Sequence, residues 1–125
     1  MRIENRKYKR YRAQENAYVA LRIDFKRTGK ISDISTNGLS FSYLAKNSNN
    51  DTHTDPLFAD IFLSGNRFHL SHLPCTIAYE ISGVGSIKIN GAEMHRCGLE
   101  FKDLNRHQIE QLNVFIKNHT TDIVV

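Results

Sequence analysis

Beyond about residue 16 the chain alternates hydrophobic and polar positions in short runs, the signature of half-buried strands. Ala17 to Ile23 is rich in strand formers and sets Val19, Leu21 and Ile23 on one face. Thr28 to Ile34 reads as a second strand after a turn at Arg27-Thr28-Gly29. In Leu39 to Leu44, Leu39, Phe41 and Tyr43 alternate with Ser40 and Ser42, which predicts a third strand. Lys46 to Pro56 is polar and aperiodic, hence a surface loop. Asp60 to Leu63 and Arg67 to Leu70 flank Ser64-Gly65-Asn66, the composition of a tight hairpin turn. Leu73 to Ile81 continues as a long strand. Ile87 to Ile89 and Arg96 to Phe101 flank Asn90-Gly91, with Ala92 to Met94 left between them.

The pattern changes once, near the C-terminus. Asn105 followed by Gln108 three places on is a capping-box arrangement. Beyond it Ile109, Leu112, Phe115 and Ile116 recur at three- and four-residue spacing, which predicts one amphipathic helix over about residues 105–118. Thr121 to Val125 carry no assignable signal. The expected fold is mainly β: a six- to eight-stranded antiparallel barrel or sandwich with one C-terminal helix laid over an open end or edge.

Composition narrows the function class. With 40% hydrophobic and 24% charged residues, the 125-residue chain fits a single soluble globule and not a disordered one. No apolar run approaches the roughly 20 residues needed to span a bilayer. Met1 to Asn5 leads into charge and not into an apolar signal core, so a cytoplasmic protein without membrane insertion is expected. Cys75 and Cys97 are isolated, with no CxxC, and read as reduced, buried small hydrophobes. The net charge of +4 is unevenly spread. Residues 1–12 hold six cations (Arg2, Arg6, Lys7, Lys9, Arg10 and Arg12) against Glu4, a local +5, so the remainder is about −1. The chain therefore divides into a basic arm, 1–12, and a barrel with its helix, 13–125. Such an arm suits an anionic partner: nucleic acid, an anionic membrane surface or a phosphorylated small molecule.

Two segments stand out. Arg6-Lys7-Tyr8-Lys9-Arg10 is an RxxxR pattern inside the arm, and Asp33-Ile34-Ser35-Thr36-Asn37-Gly38 is a DxSxxG pattern at the turn between the second and third strands. In this order, with a strand between them, they resemble the PilZ family of cyclic di-GMP receptors. Cys97-Gly98-Leu99-Glu100-Phe101 looks like that family's late barrel strand, and the closing helix extends the likeness over nearly the whole chain. The resemblance implies a PilZ-like barrel that holds cyclic di-GMP between the arginine arm and the turn, on the outer barrel surface, commonly as an intercalated dimer. It also implies signalling to a downstream protein. Many family members carry a further arginine directly before the pair; here that residue is Asn5.

The residue chemistry fits such a ligand, which carries two phosphates and two guanines. Arginine presents five donors in a rigid plane that pair bidentately with phosphate or with guanine O6 and N7, and that plane stacks on purines. Arg6 and Arg10 are therefore the expected anchors, with Lys7 and Lys9 as auxiliaries. The Asp33 carboxylate can accept from the donor edge of guanine, Ser35 adds a hydroxyl, and Gly38 allows a close backbone approach, with Asn37 auxiliary. The alternative for Asp33, Ser35 and Gly38 is a self-contained turn, the side chains bonding their own backbone and Gly38 supplying a positive φ.

Other chemistry has little to stand on. His69 and His72 are three apart on an extended stretch, where side chains point to opposite faces, and no HExxH or CxxC is present, so no metal or cofactor is expected. There is no GxSxG, no glycine-rich phosphate loop and no evident carboxylate pair, so no enzyme is expected. Arg96 lies on the strand before Gly98 and reads first as a plain surface charge, with a place facing the ligand region as the alternative. Two other functions compete. A small basic barrel could bind nucleic acid with Tyr8 and Tyr11 as stacking platforms, but Asp33 beside phosphates would repel. A nucleotide-independent adaptor would use the helix or the loop at 46–56.

Overall fold

The computed structural model describes residues 8–22, 27–45, 57–65, 67–83 and 88–124. Within them lie nine strands and one helix: β1 (Arg10–Ala13), β2 (Ala17–Leu21), β3 (Thr28–Ile34), β4 (Gly38–Ala45), β5 (Leu57–Leu63), β6 (His69–Ile81), β7 (Lys88–Ile89), β8 (Ala92–Phe101), α1 (Arg106–Asn118) and β9 (Thr120–Val124). The order β2-β5-β6-β8-β4-β3 closes on itself because β2 also pairs with β3. The result is an antiparallel barrel of six strands with three short strands added: β7 on β8, β1 on β3, and β9 on β1. Closure removes the open edges that a flat sheet would expose.

The alternation sets what lies inside. Leu39, Phe41 and Tyr43 of β4 face Leu99, Cys97 and His95 of β8 across the barrel wall, and all six are buried. Val19 and Leu21 of β2 meet the same core as Ile31 and Ile34 of β3 and Ile61 and Leu63 of β5. Helix α1 follows β8 and seats Leu112 and Phe115 against this core, with Phe68 and His119 packed on the Phe115 ring at 5.4 and 5.5 Å. The expected capping box is present: Gln108 N–H donates to Asn105 Oδ1 at 2.8 Å, and Asn105 N–H donates to Gln108 Oε1 at 3.0 Å.

Toward the opposite end of β4 and β8 the interior is polar. Arg27, 9% exposed, donates from Nε to Glu80 at 2.8 Å, and Tyr43 donates its hydroxyl to the same carboxylate. The Tyr43 ring stacks on His95, with centroids 5.1 Å apart. Burial raises the Tyr43 phenol above its ordinary range, and the hydrogen bond to Glu80 adds to the rise. Burial pushes both Cys75 and Cys97 thiols up to about 12.

Several element boundaries differ from the sequence pattern, each for a physical reason. Arg10–Ala13, mostly within the expected basic arm of 1–12, and Thr120–Val124, mostly within the stretch without a signal, are both strands: the first pairs with β3 and the second with the first. Strand β5 begins at Leu57, earlier than Asp60. The break expected between Leu70 and Leu73 is a bulge inside one continuous β6. Leu70 and Leu73 both point inward although three apart, and the extra residue is absorbed at His72, whose φ is +59° and whose N–H donates to buried Asp60 at 3.0 Å. Ala92–Met94 belong to β8, which pairs with β7 through the two-residue turn Asn90-Gly91, both at positive φ.

Candidate functional site

The second arginine of the RxxxR pattern meets the aspartate of DxSxxG on the outer barrel wall. Strand β1 lies antiparallel to β3, with Tyr11 opposite Ile34 and Arg12 opposite Asp33. This register carries the Arg10 side chain to Asp33, where Nη1 donates to Oδ1 at 2.7 Å. Both side chains are largely covered, 29% and 13% exposed. Among the described residues Arg10 makes no other polar contact, so the remaining donors of its fork are open. Strand β9 holds β1 from its other side, with Arg10 opposite Val124 and the exposed pair Arg12–Asp122 at 3.3 Å.

Directly after β3 the chain turns through Ser35 to Gly38. Ser35 N–H donates to the Gly38 carbonyl at 2.8 Å, while the Ser35 hydroxyl accepts from the amides of Asn37 at 3.0 Å and Gly38 at 3.2 Å. Ser35 is 2% exposed, so its hydroxyl is engaged by its own turn. Gly38 does not sit at positive φ. Its missing side chain serves a close approach instead: a Cβ there would lie 2.1 Å from the Leu99 carbonyl oxygen of β8. Asn37 ties the turn to the same strand, its carbonyl accepting from Phe101 N–H at 2.8 Å. Its side chain meets Glu100, whose carboxyl is held below the usual range first by Lys102 and also by Asn37.

Of the sequence-predicted residues, the structure thus brings together Arg10 and Asp33, with the Ser35–Asn37–Gly38 turn starting two residues beyond Asp33. Lys9 is exposed just before β1. Arg6 and Lys7 lie outside the described residues. A cleft of about 240 Å³ is lined by residues of β1, β3 and β4, among them Arg12, Lys30, Ser32 and Ser42, but by neither Arg10 nor Asp33. The pairings also extend the site in a direction the motifs do not name: Asp33 stands opposite Ser40, Ser40 opposite Gly98, and Gly98 opposite Tyr79. No group of three or more His, Cys, Asp or Glu gathers as a metal site among the described residues.

A family model for the PilZ domain matches residues 4–118. The chain belongs to the PilZ domain family. Solved PilZ structures share its fold at low sequence identity. The PilZ domain of YcgR from Escherichia coli, solved with c-di-GMP, superposes with a TM-score of 0.64 at 14% identity, covering 93% of this chain and 92% of that one. The MrkH–c-di-GMP complex of K. pneumonia gives 0.65 at 15% identity over 93% of this chain, which spans only 52% of MrkH. PlzA of Borreliella burgdorferi in complex with c-di-GMP gives 0.50 at 15% identity, over 86% of this chain and 48% of that one. Among curated proteins none matches the sequence significantly. Within the PilZ barrel, then, the Arg10–Asp33 pair joins the two family motifs across adjacent strands. No helix among the described residues is long and apolar enough to cross a membrane.

Proposed function

We propose that this PilZ chain is a cytoplasmic receptor for cyclic di-GMP, acting by binding and not by catalysis, and that it passes the signal to a partner protein. The observation that carries this reading is the 2.7 Å contact of Arg10 with Asp33, which puts a guanidinium and a carboxylate side by side on the outer wall. A guanine needs both: acceptors for its N1–H and N2–H donors, which Asp33 supplies, and donors for phosphate or for O6 and N7, which the free part of the Arg10 fork supplies. Arg6, preceding Arg10 in the arm, is the second anchor, with Lys7 and Lys9 adding charge. Ser35 and Gly38 shape the turn that fixes Asp33, and Asn37 pins that turn to β8. In the free protein Asp33 partly neutralises Arg10. Ligand phosphates also engage the rest of the arm, and the surface so altered is what a partner reads. The c-di-GMP complexes of related barrels accord with this reading.

Titration calorimetry of cyclic di-GMP into the chain tests it, with Arg10→Ala and Asp33→Ala alongside. Saturable binding in the wild type and its loss in both variants is expected, with the folded far-ultraviolet spectrum kept. The pair joins β1 to the barrel, and β1 lies outside the closed six-strand ring, so either variant should fold. A folded wild type that takes up no ligand overturns the reading.

A further inference from the structure

The wall formed by β2, β5 and the start of β6 carries aromatic rings on its outer face, where alternation ordinarily sets polar side chains. Val19, Ile61 and Leu70 are buried in the core, so Tyr18 and Ala20 of β2, Asp60 and Phe62 of β5, and His69 of β6 face outward. The register sets Tyr18 beside Phe62 and Phe62 beside His69, and the Tyr18 and Phe62 rings stack with centroids 5.8 Å apart. The next row is low. Ala20 has only a methyl group, and opposite it Asp60 accepts from Arg22 Nε at 2.7 Å and from the His72 N–H at 3.0 Å. Both are buried although they face outward, at 6% and 5% exposure. Here lies a groove of about 540 Å³, with Ala20, Asp60, Phe62, Arg67 and Phe68 in its lining. Its carboxylate, Asp60, is already neutralised by Arg22. Arg67, by contrast, is exposed and makes no hydrogen bond or ion pair among the described residues, so its donors are open.

We propose that this groove docks a partner protein through a segment that combines an apolar and an acidic side chain. An aromatic or long aliphatic side chain sits over Ala20 against the Phe62 ring, and a neighbouring carboxylate is held by the Arg67 fork. A nucleic acid would need a row of open cations for its phosphates. Here Arg22 is engaged by Asp60, and Lys30, beside Tyr18, by Glu15, so the groove presents one open guanidinium, fit for one carboxylate. Strands β2, β5 and β6 are each paired on both sides in the closed ring, so the segment is held by side chains and not by strand addition. In the ring β2 and β5 stand opposite β8 and β4, the strands that meet at the Gly38 turn, so partner and nucleotide occupy different walls and do not compete. This docking groove rests on the reading above that a partner protein receives the signal, and it gives that partner a place and a chemistry.

The test is selection of random short peptides displayed on phage against the full chain, then titration of the enriched peptides, with circular dichroism and cyclic di-GMP calorimetry on every variant. Enriched sequences should pair an aromatic or long aliphatic residue with a nearby Asp or Glu. Ala20→Leu fills the groove from its outer face and should weaken such a peptide about tenfold or more. Arg67→Glu should weaken it comparably, and should bind the same peptide once its acidic residue is changed to lysine. Arg67 is exposed, so this charge exchange reads the contact even if Ala20→Leu disturbs the sheet. Both variants should keep cyclic di-GMP binding, because neither residue lies on the Arg10–Asp33 wall. No enrichment over the Ala20→Leu chain, enriched sequences without an acidic residue, or peptides indifferent to both variants overturn the groove. So does tighter binding of single-stranded oligothymidine that Arg67→Ala abolishes, which assigns the groove to nucleic acid. If the peptides dock as expected and folded wild type takes up no cyclic di-GMP, the receptor reading falls and the groove stands.

Discussion

Gly38 illustrates how a motif residue acquires its role from a neighbour distant in sequence. The DxSxxG pattern suggests a turn that needs a flexible or left-handed glycine, but the backbone there is ordinary and the constraint is the carbonyl of Leu99, 2.1 Å from where a Cβ would sit. Gly38→Ala should therefore push β4 away from β8 and destabilise the chain by about 1–3 kcal/mol, the usual cost of overpacking. A denaturant midpoint measured for the variant checks this, and an unchanged midpoint contradicts it. Because Asp33, the turn and β8 are linked through Asn37 and Phe101, weaker ligand binding should accompany the loss. Asp33 itself was legible from its motif. Its ion pair with Arg10 was not, since 23 residues separate them and only the β1–β3 register brings them together.

At the scale of elements, the least legible strand positions half of the proposed site. Strand β1 carries Arg10, and it lies between β3 on one side and β9 on the other. Nothing in Thr120–Val124 alternates, and its burial pattern is largely exposed, so it forms a strand through pairing and not through propensity. Ending the chain after His119, which keeps the helix cap, should leave the barrel and helix folded, because β9 is not part of the closed ring. The same truncation should free β1 on one edge and weaken cyclic di-GMP binding several-fold. Calorimetry and circular dichroism on the truncated chain separate these effects: full affinity would show that β9 does not position Arg10. The helix, by contrast, was readable in advance. Its capping box and apolar spacing are local features, and both appear where the sequence places them.

For the whole molecule, the polar cluster toward the barrel end opposite α1 couples stability to pH. Burial works to raise the Glu80 carboxyl, but hydrogen bonds from Arg27 and Tyr43 outweigh it and hold the group below its ordinary value of 4.5. A carboxylate depressed in the folded state stabilises fully above that ordinary value and loses its contribution as pH falls through the folded one. Denaturant midpoints should therefore stay level from neutral pH to about 5 and drop below about 4.5. Glu80→Gln should be less stable than wild type at pH 7, and the gap should narrow by pH 3.5. A gap that persists at acid pH would place the effect elsewhere. The carboxyls of Glu15, Glu100 and Asp122 are also lowered, but each lies at the surface where solvent screens it, which makes Glu80 the group to test.

Periodicity was enough to establish a β-rich chain with one closing helix, because inward and outward positions repeat every two residues in strands and every three or four in the helix. Residue type was enough to mark Arg10 and Asp33 as candidates, because few side chains can fork onto a phosphate or accept from a guanine. Ring closure through β2 and β3, the bulge at His72, the pairing of β1 with β9 and the row from Asp33 through Ser40 and Gly98 to Tyr79 were decided only in three dimensions. Each depends on which strand lies beside which. That choice is made by long-range burial and backbone pairing, and no local window of sequence contains both partners.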